Sequence, residues 1–158
     1  MSPQHRELAN VARDYCEMVE TVEYIDEQWI ELVAALLPRL HAAVSALGTV
    51  GLVSKRHTRV DLDARFEFYS KLRSLLGEKD SYWLEFDVAE DGQSKSGSLA
   101  DDLTDIYCEL KEGLNLMEGE PSQALEGLRV GYHLHWGRHL IDAQRHLYEL
   151  RSSYQIDL

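Results

Sequence analysis

Cysteine is scarce in this sequence: Cys16 and Cys108 are the only two among 158 residues. They lie far apart, each inside a helical pattern, and read as reduced, buried small hydrophobes rather than a disulfide. No stretch approaches the roughly 20 apolar residues that a membrane-spanning helix needs. The opening residues, Met1 to Glu7, show no positive region followed by an apolar one, so no signal peptide is visible. Together these absences predict a cytoplasmic protein. Positive charge is also in deficit, with 16 Lys and Arg against 28 Asp and Glu and a formal net charge of -12. Binding to phosphate backbones or anionic membrane surfaces needs clustered Lys and Arg, so nucleic acid and membrane are disfavoured as partners. A basic protein partner and a metal ion both remain compatible with the charge.

What is present is ordinary for a folded protein. Hydrophobic residues make up 44% and charged residues 28%, close to the globular average, which argues against disorder of the whole chain. The length suits one domain, residues 1–158, able to bury a core.

Apolar residues recur at spacings of three and four almost throughout, the helical period. A first helix is expected from about Pro3 to Val22, with Leu8, Val11, Tyr15, Met18 and Val22 on one face. Pro3 suits a first turn, where its missing N–H costs nothing. A second runs from about Asp26 to Leu47 and contains Pro38, whose ring clashes with the carbonyl of residue 34, so a kink is expected. Thr49 to Val60 reads as a loop carrying Lys55, Arg56, His57 and Arg59. Asp61 or Asp63 caps a third helix ending near Leu76, with Gly77 as its stop. Glu78 to Gly97 is polar and loop-like, with one aromatic patch, Tyr82, Trp83 and Phe86. Ser98 opens a fourth helix, buried through Leu99, Leu103, Ile106 and Leu110. Gly119 and Pro121 form a stop-and-start pair before a long C-terminal helix, from about Pro121 to Ser153. Gly127, Gly131 and Gly137 weaken that helix by roughly 1 kcal/mol each against Ala. They mark either close helix contacts or a break. The fold expected is all-α, a single-domain bundle of about five helices.

Two polar constellations stand out. On the C-terminal helix His135, His139, Asp142 and His146 follow spacings of four, three and four. At about 100° per residue they share an arc of roughly 60°. Two imidazoles at i and i+4 can reach one cation, and a carboxylate can complete the shell. The stripe also lies on the flank of the apolar face, where histidines are often simply packed and hydrogen-bonded. No HExxH is present. On the fourth helix, Asp102, Asp105, Glu109 and Glu112 share one face, and Asp101-Asp102-x-x-Asp105 reads DDxxD. Such carboxylates hold Mg²⁺ or Mn²⁺ in helical enzymes acting on diphosphates. The isoprenoid synthases that use DDxxD need a longer chain and a second acidic motif. The helical nucleotide pyrophosphatases pair ExxE with a later ExxD, which has no clear equivalent here. Acidic residues early in a helix also satisfy the helix dipole without any metal. Tyr82 and Trp83 either pin their loop to the bundle or form a partner surface.

Three segments together carry a resemblance. They are Leu-Gly-x-x-Asp-x-Tyr (Leu76 to Tyr82), Asp-Leu-x-Asp-Ile-Tyr-x-Glu-Leu-Lys (Asp102 to Lys111), and Trp-Gly-x-His-Leu followed by Ala-x-x-x-Leu (Trp136 to Leu147). The chain resembles a bacterial domain-of-unknown-function family, number 5063. The resemblance implies an all-α fold and no assigned activity. Its recurring polar positions map to Asp80, Asp102, Asp105, Tyr107, Lys111, Trp136 and His139, leaving out His135, Asp142 and His146.

No catalytic set is complete, which favours a non-enzymatic interaction or accessory protein with a basic partner, contacted through Tyr82 and Trp83. The rival reading is a divalent-metal protein or metal-dependent phosphate-ester hydrolase. In it Asp102, Asp105 and Glu109 face His139, with His135, Asp142 and His146 in reserve and Zn²⁺, Mn²⁺ or Mg²⁺ as the ion. That reading requires the fourth and fifth helices to turn these faces toward each other.

Overall fold

Each of the first four long helices begins where a side chain takes up its first unpaired amides, a cap worth about 1 kcal/mol. The computed structural model describes residues 2–48, 61–83 and 96–156. In it Ser2 accepts from the His5 amide and Pro3 opens α1, Pro3–Glu20. Asp26 accepts from the Trp29 amide at 2.9 Å to start α2, Glu27–Ser45. Asp61, rather than Asp63, caps α3, Leu62–Leu76, and Gly77 ends it with φ 57°, a backbone conformation that favours glycine. Ser98 accepts from the Asp101 amide at 3.2 Å and opens α4, Leu99–Met117. The basic loop residues Lys55, Arg56, His57 and Arg59, and Phe86 of the aromatic patch, lie outside the described residues.

Pro38 sits inside α2, which is helical on both sides of it. Two features depart from the sequence expectation. Part of the expected loop after Gly77 is instead a short antiparallel pair, β1 (Ser81–Trp83) and β2 (Ser96–Ser98), with Tyr82 opposite Gly97. A Cβ at position 97 would collide with the Tyr82 ring, so only glycine lets the ring lie there. The long C-terminal helix is in three parts: α5 (Pro121–Gly131), a π-helical turn (Tyr132–Trp136) and α6 (Gly137–Ile156). The π turn carries one more residue than an α turn, so a 100° helical wheel loses phase across it.

Helix α4 lies at the centre, packed against α1, α3, α5 and α6, while α2 packs on α1 and α6. Its apolar side, Leu99, Leu103, Ile106 and Leu110, is fully buried. The two largest fully buried side chains, Trp136 and Tyr15, keep their polar atoms paired. The Tyr15 hydroxyl donates to the Leu103 carbonyl at 2.7 Å, and the Trp136 indole donates to the Leu128 carbonyl at 3.0 Å. Gly113 lets α5 come close: a Cβ there would meet Leu128 at 2.7 Å. Because α4 is covered on so many sides, its acidic flank is drawn into the protein as well. Asp102 is only 3% exposed and Glu109 8%.

Candidate metal centre

Acidic side chains three and four apart on a helix stand above one another. On α4 this stacks Asp102, Asp105 and Glu109 along the flank that meets the C-terminal helix. A buried carboxylate needs donors or a cation, and four neighbouring elements supply them. From α6, His139 lies between two aspartates, with Nδ1 2.7 Å from Asp102 Oδ1 and Nε2 2.9 Å from Asp105 Oδ2. From the π turn, His135 Nδ1 lies 3.0 Å from Glu109 Oε1. From α3, Arg65 donates through Nε to Asp105 at 3.0 Å and through Nη2 to Asp101 at 2.9 Å. The hairpin brings the Tyr82 hydroxyl to Asp102 Oδ2.

The electrostatics follow from these contacts. Burial alone would lower the pKa of His139, but hydrogen bonds and charge from Asp102 and Asp105 outweigh it and push it up to about 9. Near neutral pH the ring is therefore an imidazolium, donating from both nitrogens. Burial works to raise Asp105, yet His139 and Arg65 hold it below the usual aspartate value. At Asp102 burial prevails over the bonds from His139 and Tyr82, and its pKa is raised. Burial and the Asp102 carboxylate also push the Tyr82 phenol far up, so it stays a donor.

His135 and His139 face each other with ring centroids 5.3 Å apart and planes at 71°. Asp105, His135 and His139 each present one ligand atom within 4.8 Å of the other two, and so do Asp101, Asp102 and His139. The histidine stripe is divided between two places. His146 leaves this group: it is 6% exposed, stacks on Tyr82 at 4.7 Å, and donates from Nε2 to the Lys79 carbonyl at 2.6 Å. Asp142 acts here through charge, raising Tyr82 and Asp102. Glu112 lies apart on the wall of a half-open groove of about 340 Å³ between α3 and α4, with Arg65, Phe68 and Tyr107.

Tyr82 is buried at 7% and belongs to the polar cluster, which removes it from any exposed partner surface; Trp83 beside it is 71% exposed. Sequence reasoning missed Arg65 and the role of Tyr82. Arg65 stands one turn after the Asp61 cap on a mostly exposed helix, and nothing in its spacing points across to α4. Asp80 offered more of a signal. Its carboxylate accepts the Ala100 amide at 2.7 Å and the Ser98 hydroxyl at 2.9 Å, clamping the start of α4.

With this geometry in hand, the comparisons with known proteins are informative about ancestry. The sequence pattern of the domain of unknown function DUF5063 matches residues 1–153. The chain belongs to that family. Among solved structures, the crystal structure of protein BF1032 from Bacteroides fragilis, a structural-genomics target, is similar with a TM-score of 0.73. The two share 22% sequence identity, covering 94% of this chain and 92% of that one, a likeness of fold. No curated protein matches. The family thus supplies the bundle, and any activity has to be argued from the site.

Proposed function

We propose that this DUF5063 protein binds a divalent transition-metal ion between α4 and the C-terminal helix, through Asp105, His135 and His139. The observation that carries this reading is the pairing of both histidines. Each has its Nδ1 on an α4 carboxylate, Asp102 for His139 and Glu109 for His135. Metal-binding histidines typically donate their second N–H to such an outer carboxylate, which sets the tautomer and raises ligand basicity. His139 Nε2 and Asp105 Oδ2 lie 2.9 Å apart. Two ligands on one tetrahedral ion, each bonded at about 2.0–2.2 Å, stand roughly 3.4 Å apart, so an opening of about half an ångström would admit the ion.

Charge supports the same reading. Asp101, Asp102, Asp105 and Glu109 against Arg65 and the His139 imidazolium leave two negative charges. A divalent ion in place of the imidazolium proton leaves one. Two imidazoles with one carboxylate suit Zn²⁺ or Fe²⁺ better than Mg²⁺, which prefers an all-oxygen octahedron. The test is elemental analysis of protein purified without chelator, followed by thermal shift with Zn²⁺, Mn²⁺ and Mg²⁺. A ligand bound only by the folded state raises the melting temperature. Stabilisation by Zn²⁺ but not Mg²⁺ is expected. No metal and no shift would leave the cluster as a buried ion-pair network.

A second reading, docking of a basic partner, is favoured by one observation: Trp83 stands 71% exposed at the end of β1 in an acidic protein. Exposed tryptophans are frequent anchors of interfaces. Loss of a specific basic partner on Trp83→Ala, with metal binding unchanged, would separate it from the first.

A further inference from the structure

The structure offers His139 two alternative ligand sets, and they lie on opposite sides of its ring. On the Nε2 side the ring faces Asp105, the carboxylate grouped with His135. On the Nδ1 side it faces Asp102, which groups with Asp101. We infer that the Tyr82 hydroxyl is a positioning group that reserves Asp102 as an outer carboxylate and so directs a metal ion to the Nε2 side. The inference rests on the metal reading above and deepens it.

Asp102 has two oxygens and both are engaged. Oδ1 meets His139 Nδ1 at 2.7 Å, and Oδ2 accepts from Tyr82. A carboxylate held at both oxygens presents one lone-pair direction to the imidazole and is not free to swing onto an ion. The hydrogen bond to Nδ1 then fixes the tautomer that leaves Nε2 as the ligand atom. Without the Tyr82 donor, Oδ2 would be buried and unpaired, which costs free energy. Rotating Asp102 to use that oxygen on an ion shared with Asp101 would become the favourable alternative.

Tyr82 is itself held from three directions. Its ring stacks on His146 with the planes 27° apart, and His146 is anchored to the Lys79 carbonyl. On its other neighbour, Gly97, a Cβ would occupy the space of the ring. Strand pairing fixes its backbone between Ser81 and Trp83. A hydroxyl held this rigidly is suited to positioning, because little rotamer freedom is left to lose when it bonds.

The test is Tyr82→Phe, which keeps the ring on His146 and Gly97 and deletes only the donor. Trp83→Phe serves as the control on the exposed neighbour. In the metal-loaded protein, ¹⁵N NMR of the imidazoles reads which nitrogen of His139 is ligated, and chelator competition with Zn²⁺ reads affinity. For wild type and Trp83→Phe the expected state is Nε2-bound with a proton on Nδ1. For Tyr82→Phe, affinity should fall by more than about threefold and by no more than the roughly 100-fold that loss of the outer carboxylate itself would cause, and Nδ1 ligation should appear. Affinity within twofold of wild type with unchanged Nε2 ligation would overturn the inference.

A second measurement keeps the two proposals distinguishable. In metal-free protein, the His139 Nδ1–H should give a protected proton signal in wild type and exchange with water in Tyr82→Phe. If wild type takes up no Zn²⁺, the metal reading fails. This metal-free comparison then decides whether Tyr82 positions Asp102, and equal protection in both proteins would overturn it.

Discussion

Gly137 donates its amide hydrogen to the carbonyl of Tyr132, five residues back rather than four. That one hydrogen bond marks the π turn in the C-terminal helix, and a Cβ on residue 137 would run into the same carbonyl. Gly137→Ala therefore cannot gain the usual helix-propensity benefit of alanine. It must push backbone against backbone, and a loss of about 2 kcal/mol or more is expected. Urea unfolding checks it, with Gly127→Ala as the comparison, since a Cβ at Gly127 meets nothing within 4 Å. Gly127→Ala should be neutral or stabilising.

The raised pKa of His139 makes stability depend on pH in a definite direction. Its folded value is about 9 against an ordinary 6.5, so the folded state holds the proton more tightly. The stabilisation is complete below about pH 6.5 and is lost as pH rises through 9, up to about 3 kcal/mol. Asp105, held low by His139 and Arg65, contributes in the opposite sense: its share is present above the ordinary aspartate value and disappears in acid. Thermal melts of metal-free protein should therefore fall from pH 6.5 to 9. His139→Gln should flatten that slope, and an unchanged slope would place the titration elsewhere.

Metal affinity should follow the opposite course. An ion on His139 Nε2 must displace the imidazolium proton, so affinity should rise by about tenfold per pH unit below 9. His135→Ala and Asp105→Ala should each weaken Zn²⁺ binding strongly, whereas Asp142→Asn should leave it within a few-fold. Isothermal titration at three pH values measures both effects.

Arg65 provides a prediction in which two readouts move apart. It donates to Asp101 and Asp105 from a partly buried position. Arg65→Met should cost the metal-free protein about 1–3 kcal/mol by leaving those carboxylates short of a counterion. The same change removes a cation competing for Asp105, so Zn²⁺ affinity should increase. Loss of both stability and affinity would mean that Arg65 shapes the site rather than competes for it.

Much of the architecture was readable from period and punctuation. Ser98, Asp61 and Pro121 mark helix starts, and Gly77 marks a stop, because capping and φ preferences are local. The facing of Asp102 and His139 was reachable too, since a short connection makes neighbouring helices antiparallel and the stripes were visible. What stayed hidden is non-local. Arg65 reaches α4 across 40 residues of sequence, and Tyr82 looks like a loop aromatic until Gly97 is seen beneath it. The helical wheel put His146 in the same stripe as His139. Burial instead sends His146 to Lys79 and Tyr82, a choice made by the hairpin and not by α6.

The position of α4 has a consequence for synthesis. The 37 residues that separate Asp102 from His139 take a few seconds to translate at about 5–20 residues per second. During that interval the nascent chain carries the acidic flank with Arg65 but without its imidazole. Until the last helix joins it, Asp102 lacks the imidazole that it pairs with in the folded protein. A chain truncated before Gly137 should emerge as a client of chaperones rather than as a smaller bundle.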